Sequence, residues 1–276
     1  MNVISKIIRA VRHERDMRRA PLRVEFVLSD YCNLNCKGCT HYSPLAPKEF
    51  EPLETLSRTM SHIGQVAGKD ISKAYLIGGE TLLYPHLEEA MSLLRKNFPT
   101  QELYIFTNGL MIPRMSDSFW DSARNNDIIV VITRYPIKFD YDSAIELCRS
   151  KGVRTEVFAD RSETQTFFRY ALDPKGCRNR SIAHLKCDNR GCLSVIGDKL
   201  YPCSISGCVK HLNNAFATKF EHRPGDWLNV EDIRSAADIR RLRDNPVPFC
   251  SYCILPPKSV SHSPSQRKIE EWVENS

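Results

Sequence analysis

The sequence predicts an α/β protein: a partial (β/α) barrel followed by a small cysteine-rich subdomain. Three observations carry this. Strand-like and helix-like runs alternate from residue 22 to residue 158, as in βαβ units laid on a parallel sheet. The run Ile128-Ile129-Val130-Val131-Ile132 is apolar throughout, as a strand covered on both faces must be. Beyond residue 160 the alternation gives way to polar loops that hold seven of the eleven cysteines.

Leu22 to Ser29 reads as the first strand and Ala74 to Ile77 as the second, ending in Gly78-Gly79-Glu80. Leu103 to Phe106 is the third and ends in Thr107-Asn108-Gly109. Ile128 to Thr133 and Arg154 to Phe158 complete five, too few for a closed eight-unit barrel. Between them, Pro52 to Ala67 places Leu53, Leu56, Met60, Ile63 and Val66 on one helical face. His86 to Phe98, Ser116 to Asn126 and Tyr141 to Lys151 read as further helices. Cys192–Ile196 and Lys199–Cys203 flank Gly197-Asp198 as two strands flank a hairpin turn. The expected organisation is a basic N-terminal helix (1–21), a core (22–165), a cysteine-rich domain (166–256) and a tail (257–276), with Pro256 to Pro264 irregular.

A chain of 276 residues, 42% hydrophobic, has a sizeable core available. It has no apolar stretch of transmembrane length. Its N-terminus lacks the apolar run of a signal peptide, so a cytoplasmic location is expected. The net charge of +6 is concentrated near Arg9, Arg12, Arg15, Arg18, Arg19 and Arg23, and Ile4, Ile7, Ile8 and Val11 give that segment an amphipathic spacing. No aromatic residues are interleaved with these arginines, which weighs against nucleic acid as a partner. A solvated helix packed on the end of the core is the plainer reading.

Cys32, Cys36 and Cys39 form a C-x3-C-x2-C triplet just after the first strand. A [4Fe–4S] cluster normally takes four thiolates, so three leave one iron open to a reactant. A zinc site with His41 as fourth ligand is the alternative that spacing permits. Cys187, Cys192, Cys203, Cys208, Cys250 and Cys253 form a second group. Its spacing permits a zinc ribbon or a cluster. The odd cysteine count and the clustering favour metal ligation over disulfides.

Taken with Gly78-Gly79-Glu80, Thr107-Asn108-Gly109 and Thr133-Arg134, each at a strand end, the triplet resembles the radical S-adenosylmethionine (SAM) superfamily. The resemblance implies a [4Fe–4S] cluster on Cys32, Cys36 and Cys39 whose open iron chelates SAM. It implies contacts to SAM from Gly78, Gly79, Glu80, Asn108, Thr133 and Arg134, with Glu80 on the amino group. Two positions depart from the family pattern: Gly38 stands where an aromatic residue is usual, and Thr81 where Pro is usual. Tyr31 or Tyr42 is the expected substitute for that aromatic. The second group resembles a twitch domain, a shortened SPASM domain, with an auxiliary [4Fe–4S] cluster on Cys187 or Cys192 together with Cys203, Cys250 and Cys253.

The resemblance extends to the 2-deoxy-scyllo-inosamine dehydrogenase family and to small radical SAM proteins encoded with polysaccharide glycosyltransferases. It implies a 5′-deoxyadenosyl radical that abstracts hydrogen from a carbohydrate-like substrate, in oxidation or epimerisation, with a flavodoxin- or ferredoxin-type electron donor. Peptide modification is the alternative substrate class. The short segment before the first strand leaves no room for a winged-helix leader-binding domain, which weakens that alternative. A regulatory iron–sulfur or zinc protein is the non-enzymatic alternative. Cys208 and Cys177 are candidate hydrogen-atom donors, Cys148 reads as core, and His41, His86 and His184 are candidate acid–base groups.

Overall fold

The computed structural model describes residues 15–158 and 166–274. Residues 15–19 form a helical turn, α1; the apolar spacing at Ile4 to Val11 lies outside the described residues. The core alternates as its sequence pattern dictates: β1 (Leu22–Ser29), α2 (Leu53–Ala67), β2 (Ile71–Gly78), α3 (Leu87–Asn97), β3 (Glu102–Thr107), α4 (Asp117–Asn125), β4 (Ile128–Ile132), α5 (Tyr141–Ser150) and β5 (Arg154–Val157). Side-chain caps set two helix starts. Ser116 accepts from the Phe119 N–H, and Asp140 from the Ser143 N–H. Leu56, Met60 and Ile63 turn inward from α2, and every residue of β4 is buried.

The five strands pair in parallel in the order β5-β4-β3-β2-β1. The expected hairpin forms as β7 (Leu193–Ile196) and β8 (Lys199–Tyr201), and it extends this sheet: β7 pairs in parallel with β1, opposite Val24 to Phe26. A two-residue strand, β9 (Leu228–Asn229), closes that edge. The cysteine-rich half is thus hydrogen-bonded to the first barrel strand. Between and after these strands lie α6 (Arg180–Leu185), α7 (Ser204–Gly207), α8 (Val209–Phe216) and α9 (Ala236–Asp244). Arg243 on α9 donates to the carbonyls of Arg18 and Ala20, which anchors residues 18–20 to α9.

The run Pro256 to Pro264 is not irregular as expected. Cys253–Ser261 forms β10, which pairs antiparallel with β6 (Thr166–Leu172), with a bulge between Ile254 and Lys258. Proline lacks only the donor, and edge strands and bulges tolerate it. Beyond β10 the chain folds back: Trp272 is buried, and its carbonyl accepts from the Leu172 N–H.

Candidate active site

The loop after β1 bends back across the strand ends and carries Cys32, Cys36 and Cys39. Gly79 N–H donates to Ser29 O, and Glu80 N–H to Tyr31 O, so this loop lies directly on the end of β2. A Cβ at Gly78 would sit 2.1 Å from Ser29 O, and one at Gly79 2.3 Å from Tyr31 O. Both glycines are therefore required by the packing of the chain on itself, before any ligand is considered. Gly38 has φ 71°. The turn between the second and third cysteines needs this left-handed conformation, which accounts for glycine where an aromatic was expected.

Cys32, Cys36 and Cys39 line one cavity of about 460 Å³, together with Gly78, Gly79, Asn108 and Thr133. Burial pushes the Cys32 thiol up to about 12, with Glu80 and Cys39 adding to the shift. Burial also raises Cys36, as do Cys39 and Cys32 beside it. The three are free thiols. Among the described residues, one trio of side chains holds its ligand atoms within 4.8 Å of one another, and it is Asp30, His41 and Cys208. At least one pair of the triplet's sulfurs is therefore more than 4.8 Å apart, wider than the sulfurs around one zinc ion, which stand about 3.8 Å apart at a Zn–S bond of ~2.3 Å. Three thiols on one cavity wall with this spread leave room for a larger group such as an iron–sulfur cluster. His41 turns away from the triplet towards Asp30 (Nδ1 to Oδ1, 3.2 Å), because Asp30 lies buried beside it, so it does not complete the triplet.

Two other expected contacts fall elsewhere. Glu80 is buried and outside the cavity lining. Its carboxylate accepts from Thr107 Oγ1 (2.6 Å), the Asn108 N–H (2.8 Å) and the Leu82 N–H (3.0 Å). It thus ties the end of β2 to the end of β3 and caps the turn Thr81–Leu83. Burial raises its pKa against these three donors. Arg134 also lies outside the lining, because its guanidinium pairs with Asp142 on α5. Asn108 does reach the loop: its Nδ2 donates to Asn33 Oδ1 (2.7 Å) and lies 3.7 Å from Cys32 Sγ.

Sequence reasoning missed several lining residues. Tyr42 is core, with its hydroxyl directed to Ile205 O, and Tyr31 is not in the lining. Tyr135 supplies an aromatic ring instead. Its hydroxyl pKa is raised by burial and then by Cys36, Cys39 and Cys32, which places it against the triplet. It packs with Phe167 and His262, and His262 Nε2 lies 3.4 Å from Cys36 Sγ. The position of Tyr135, two residues beyond Thr133, was a usable signal; nothing local marked His262. Arg23, Glu25, Tyr75 and Phe106 also line the cavity. Burial raises the Glu25 carboxyl, against the lowering effects of His41 and of the Ser194 hydroxyl.

The second group separates into two parts. Cys192 lines the main cavity; burial raises its thiol, and Glu25 and Cys203 add to it, so it also stands near Cys203. Cys187, Cys203, Cys250 and Cys253 lie outside the lining. Burial pushes Cys250 up to about 11, with Cys187 contributing. Cys203 is raised by burial and then by Cys187 and Cys250, and Cys253 by burial and then by Cys203, Cys250 and Cys187. Cys208 is fully buried, donates to Asp30 Oδ1 (3.2 Å) and does not reach the cavity; a donor to a substrate radical needs that access. Cys177 is exposed and Cys148 is core. His86 is exposed beside Glu89, and His184 packs against Arg243 O.

Residues 26–132 match the model of the radical SAM superfamily. This stretch is similar to the radical SAM domain. The chain is 23% identical over 112 residues to a GTP 3′,8-cyclase of Alkaliphilus oremlandii, an alignment covering 41% of this chain and 35% of that protein. A GTP 3′,8-cyclase of Chlorobaculum tepidum is 28% identical over 100 residues, covering 36% of this chain and 29% of that protein. The chain spans about a third of the length of the curated relatives it matches. A solved structure of BtrN in complex with AdoMet and 2-DOIA aligns with a TM-score of 0.50 at 14% identity. That alignment covers 85% of this chain and 93% of the other, and it shows a shared fold that extends past residues 26–132.

Proposed function

We propose that this protein is a radical SAM enzyme that removes a hydrogen atom from a carbohydrate-like small molecule and oxidises it. The observation that carries this is the convergence of Cys32, Cys36, Cys39, Gly78, Gly79, Asn108 and Thr133 on one cavity. Cys32, Cys36 and Cys39 would hold a [4Fe–4S] cluster, and Cys187, Cys203, Cys250 and Cys253 a second one, with Cys192 outside that set. When bound, the first group supplies the electron that cleaves SAM to a 5′-deoxyadenosyl radical, and the second an acceptor for one electron from substrate. A flavodoxin- or ferredoxin-type protein is the external donor.

The chain's own residues divide the cavity. Gly78, Gly79 and Thr133 form the wall beside the triplet, and Tyr135 offers a flat face to the adenine. Glu80 acts from behind as a positioning residue, fixing the backbone of Asn108. Tyr75 and Phe106 offer apolar faces to a ring's C–H groups, and Arg23 and Glu25 suit its hydroxyls. Asn189 also lines this cavity, and its buried Nδ2 has no hydrogen-bond partner; a substrate oxygen would satisfy it. In oxidation of an alcohol the carbon loses a hydrogen atom, the hydroxyl proton passes to Glu25, and one electron leaves. A carboxyl whose pKa burial has raised is suited to take that proton.

A purine nucleotide substrate is the second reading, favoured by the relatives named GTP 3′,8-cyclase. The test is anaerobic reconstitution, an iron count, and a 5′-deoxyadenosine assay with a panel of aminocyclitols, sugar nucleotides and GTP. About eight irons per chain are expected, with deuterium passing from a labelled sugar into 5′-deoxyadenosine. No 5′-deoxyadenosine under any condition sinks the enzyme reading; transfer from GTP alone replaces the carbohydrate one.

A further inference from the structure

Behind the cavity wall lies a second constellation that the reading above does not use. Asp30, His41, Cys208 and His211 are all buried. Asp30 Oδ1 lies 3.2 Å from His41 Nδ1 and 3.2 Å from Cys208 Sγ, and those two atoms are 3.7 Å apart. We propose that Asp30, His41 and Cys208 bind one divalent cation of the zinc class.

The separations are those of ligands that share an ion. Zinc binds oxygen and nitrogen at about 2.0–2.2 Å and thiolate at about 2.3 Å, so neighbouring ligands of a tetrahedron stand about 3.3–3.7 Å apart. The donor set, one carboxylate, one imidazole and one thiol, is of the kind zinc takes. His211 Nε2 lies 2.8 Å from Asp30 Oδ2, the place of an outer partner that orients a ligating carboxylate. Both ion pairs of Asp30 are with imidazoles, a side chain that itself suits zinc. His41 is followed by Tyr42 at φ 53°, a strained conformation for a residue with a side chain, which fixes the direction of the His41 backbone. Asp30 and His211 line a separate cleft of about 240 Å³, which gives the ion an entry path that avoids the main cavity. The site joins the β1 loop to the α7–α8 junction. An ion there braces His41 as part of the cavity wall.

The test uses cluster-loaded protein equilibrated with zinc and then desalted. Iron and zinc are counted, and zinc K-edge X-ray absorption reports the neighbours. The expected result is about one zinc per chain, with one sulfur and the remainder nitrogen and oxygen. Cys208→Ser lowers zinc retention at least tenfold at unchanged iron content. His211→Gln weakens it about 10- to 100-fold, and this variant decides the matter if Cys208→Ser does not fold. Iron-loaded protein that retains no zinc overturns the proposal and leaves a hydrogen-bonded network. Zinc with three or four sulfur neighbours overturns it as well, because that ion sits among the cluster cysteines. Retention unchanged in both variants has the same consequence.

Discussion

Cys32, Cys36 and Cys39 occupy one short loop, whereas Cys187, Cys203, Cys250 and Cys253 come from three separate stretches of chain. The first group lies at the ends of parallel strands and faces the cavity; the second lies outside it. The local group depends on a distant segment for support. Lys37 N–H donates to Ser263 O, Ser265 N–H to Asn35 O, and Trp272 Nε1 to Cys39 O at 3.0 Å. The dispersed group is held by the fold itself: Cys253 begins β10, and buried Asp226 accepts from the Phe249 N–H beside Cys250. On the proposed roles, the first group must meet substrate and so needs an open side, while the second only exchanges electrons and can be enclosed.

The largest expected effect divides the two groups outright. Replacing Cys32, Cys36 and Cys39 by Ala should reduce SAM cleavage to background and lower the iron count by about four per chain. Cys253→Ala should also lower iron by about four, yet leave reductive cleavage of SAM measurable while product formation stops. Cys192→Ala should keep the full iron count, since that residue faces the cavity. Loss of four irons in Cys192→Ala and not in a Cys187→Ala variant would reverse the assignment of the second group.

The same contrast explains what was legible in the sequence. The triplet, Gly78-Gly79 and Asn108 sit within a few residues of strand ends, and parallel strands deliver such ends to one place, so alternation alone gathered them. The positions of Glu80 and Arg134 did not follow from alternation. Whether a polar side chain at a strand end turns to a ligand or to a neighbouring element depends on what that neighbour offers: the donors around Glu80 and the carboxylate of Asp142. His262, Trp272 and the pairing of β6 with β10 were illegible because they rest on contacts between residues far apart in sequence. The division between Cys187 and Cys192 was illegible for another reason: four intervening residues are enough to put one thiol outside the cavity and the other on its wall.

A middle-sized effect tests whether the loop's seat is set by packing. In Gly79→Ala the new Cβ meets backbone at 2.3 Å, so strand or loop must move. The destabilisation should reach or exceed the upper end of the ~1–3 kcal/mol usual for overpacking, read from denaturant unfolding under anaerobic conditions. It should come with reduced iron retention at the triplet while the second group keeps its four. An unchanged unfolding midpoint would mean that β2 does not seat the loop.

The smallest effect isolates the clasp. Trp272→Phe keeps a ring in the buried site but removes the indole N–H that serves Cys39 O. A lost hydrogen bond of this kind costs about 1 kcal/mol, more where the remaining partner is left dry. Cys39 is the triplet residue nearest this contact, so the variant should fold and load iron but release it faster to a chelator than the parent does. Iron of the second group should leave at its usual rate, because no Trp272 contact reaches it through Cys39. Equal acceleration at both groups would show that Trp272 acts on the closure of the β6–β10 segment as a whole, where its carbonyl meets Leu172, and not on the loop that it caps.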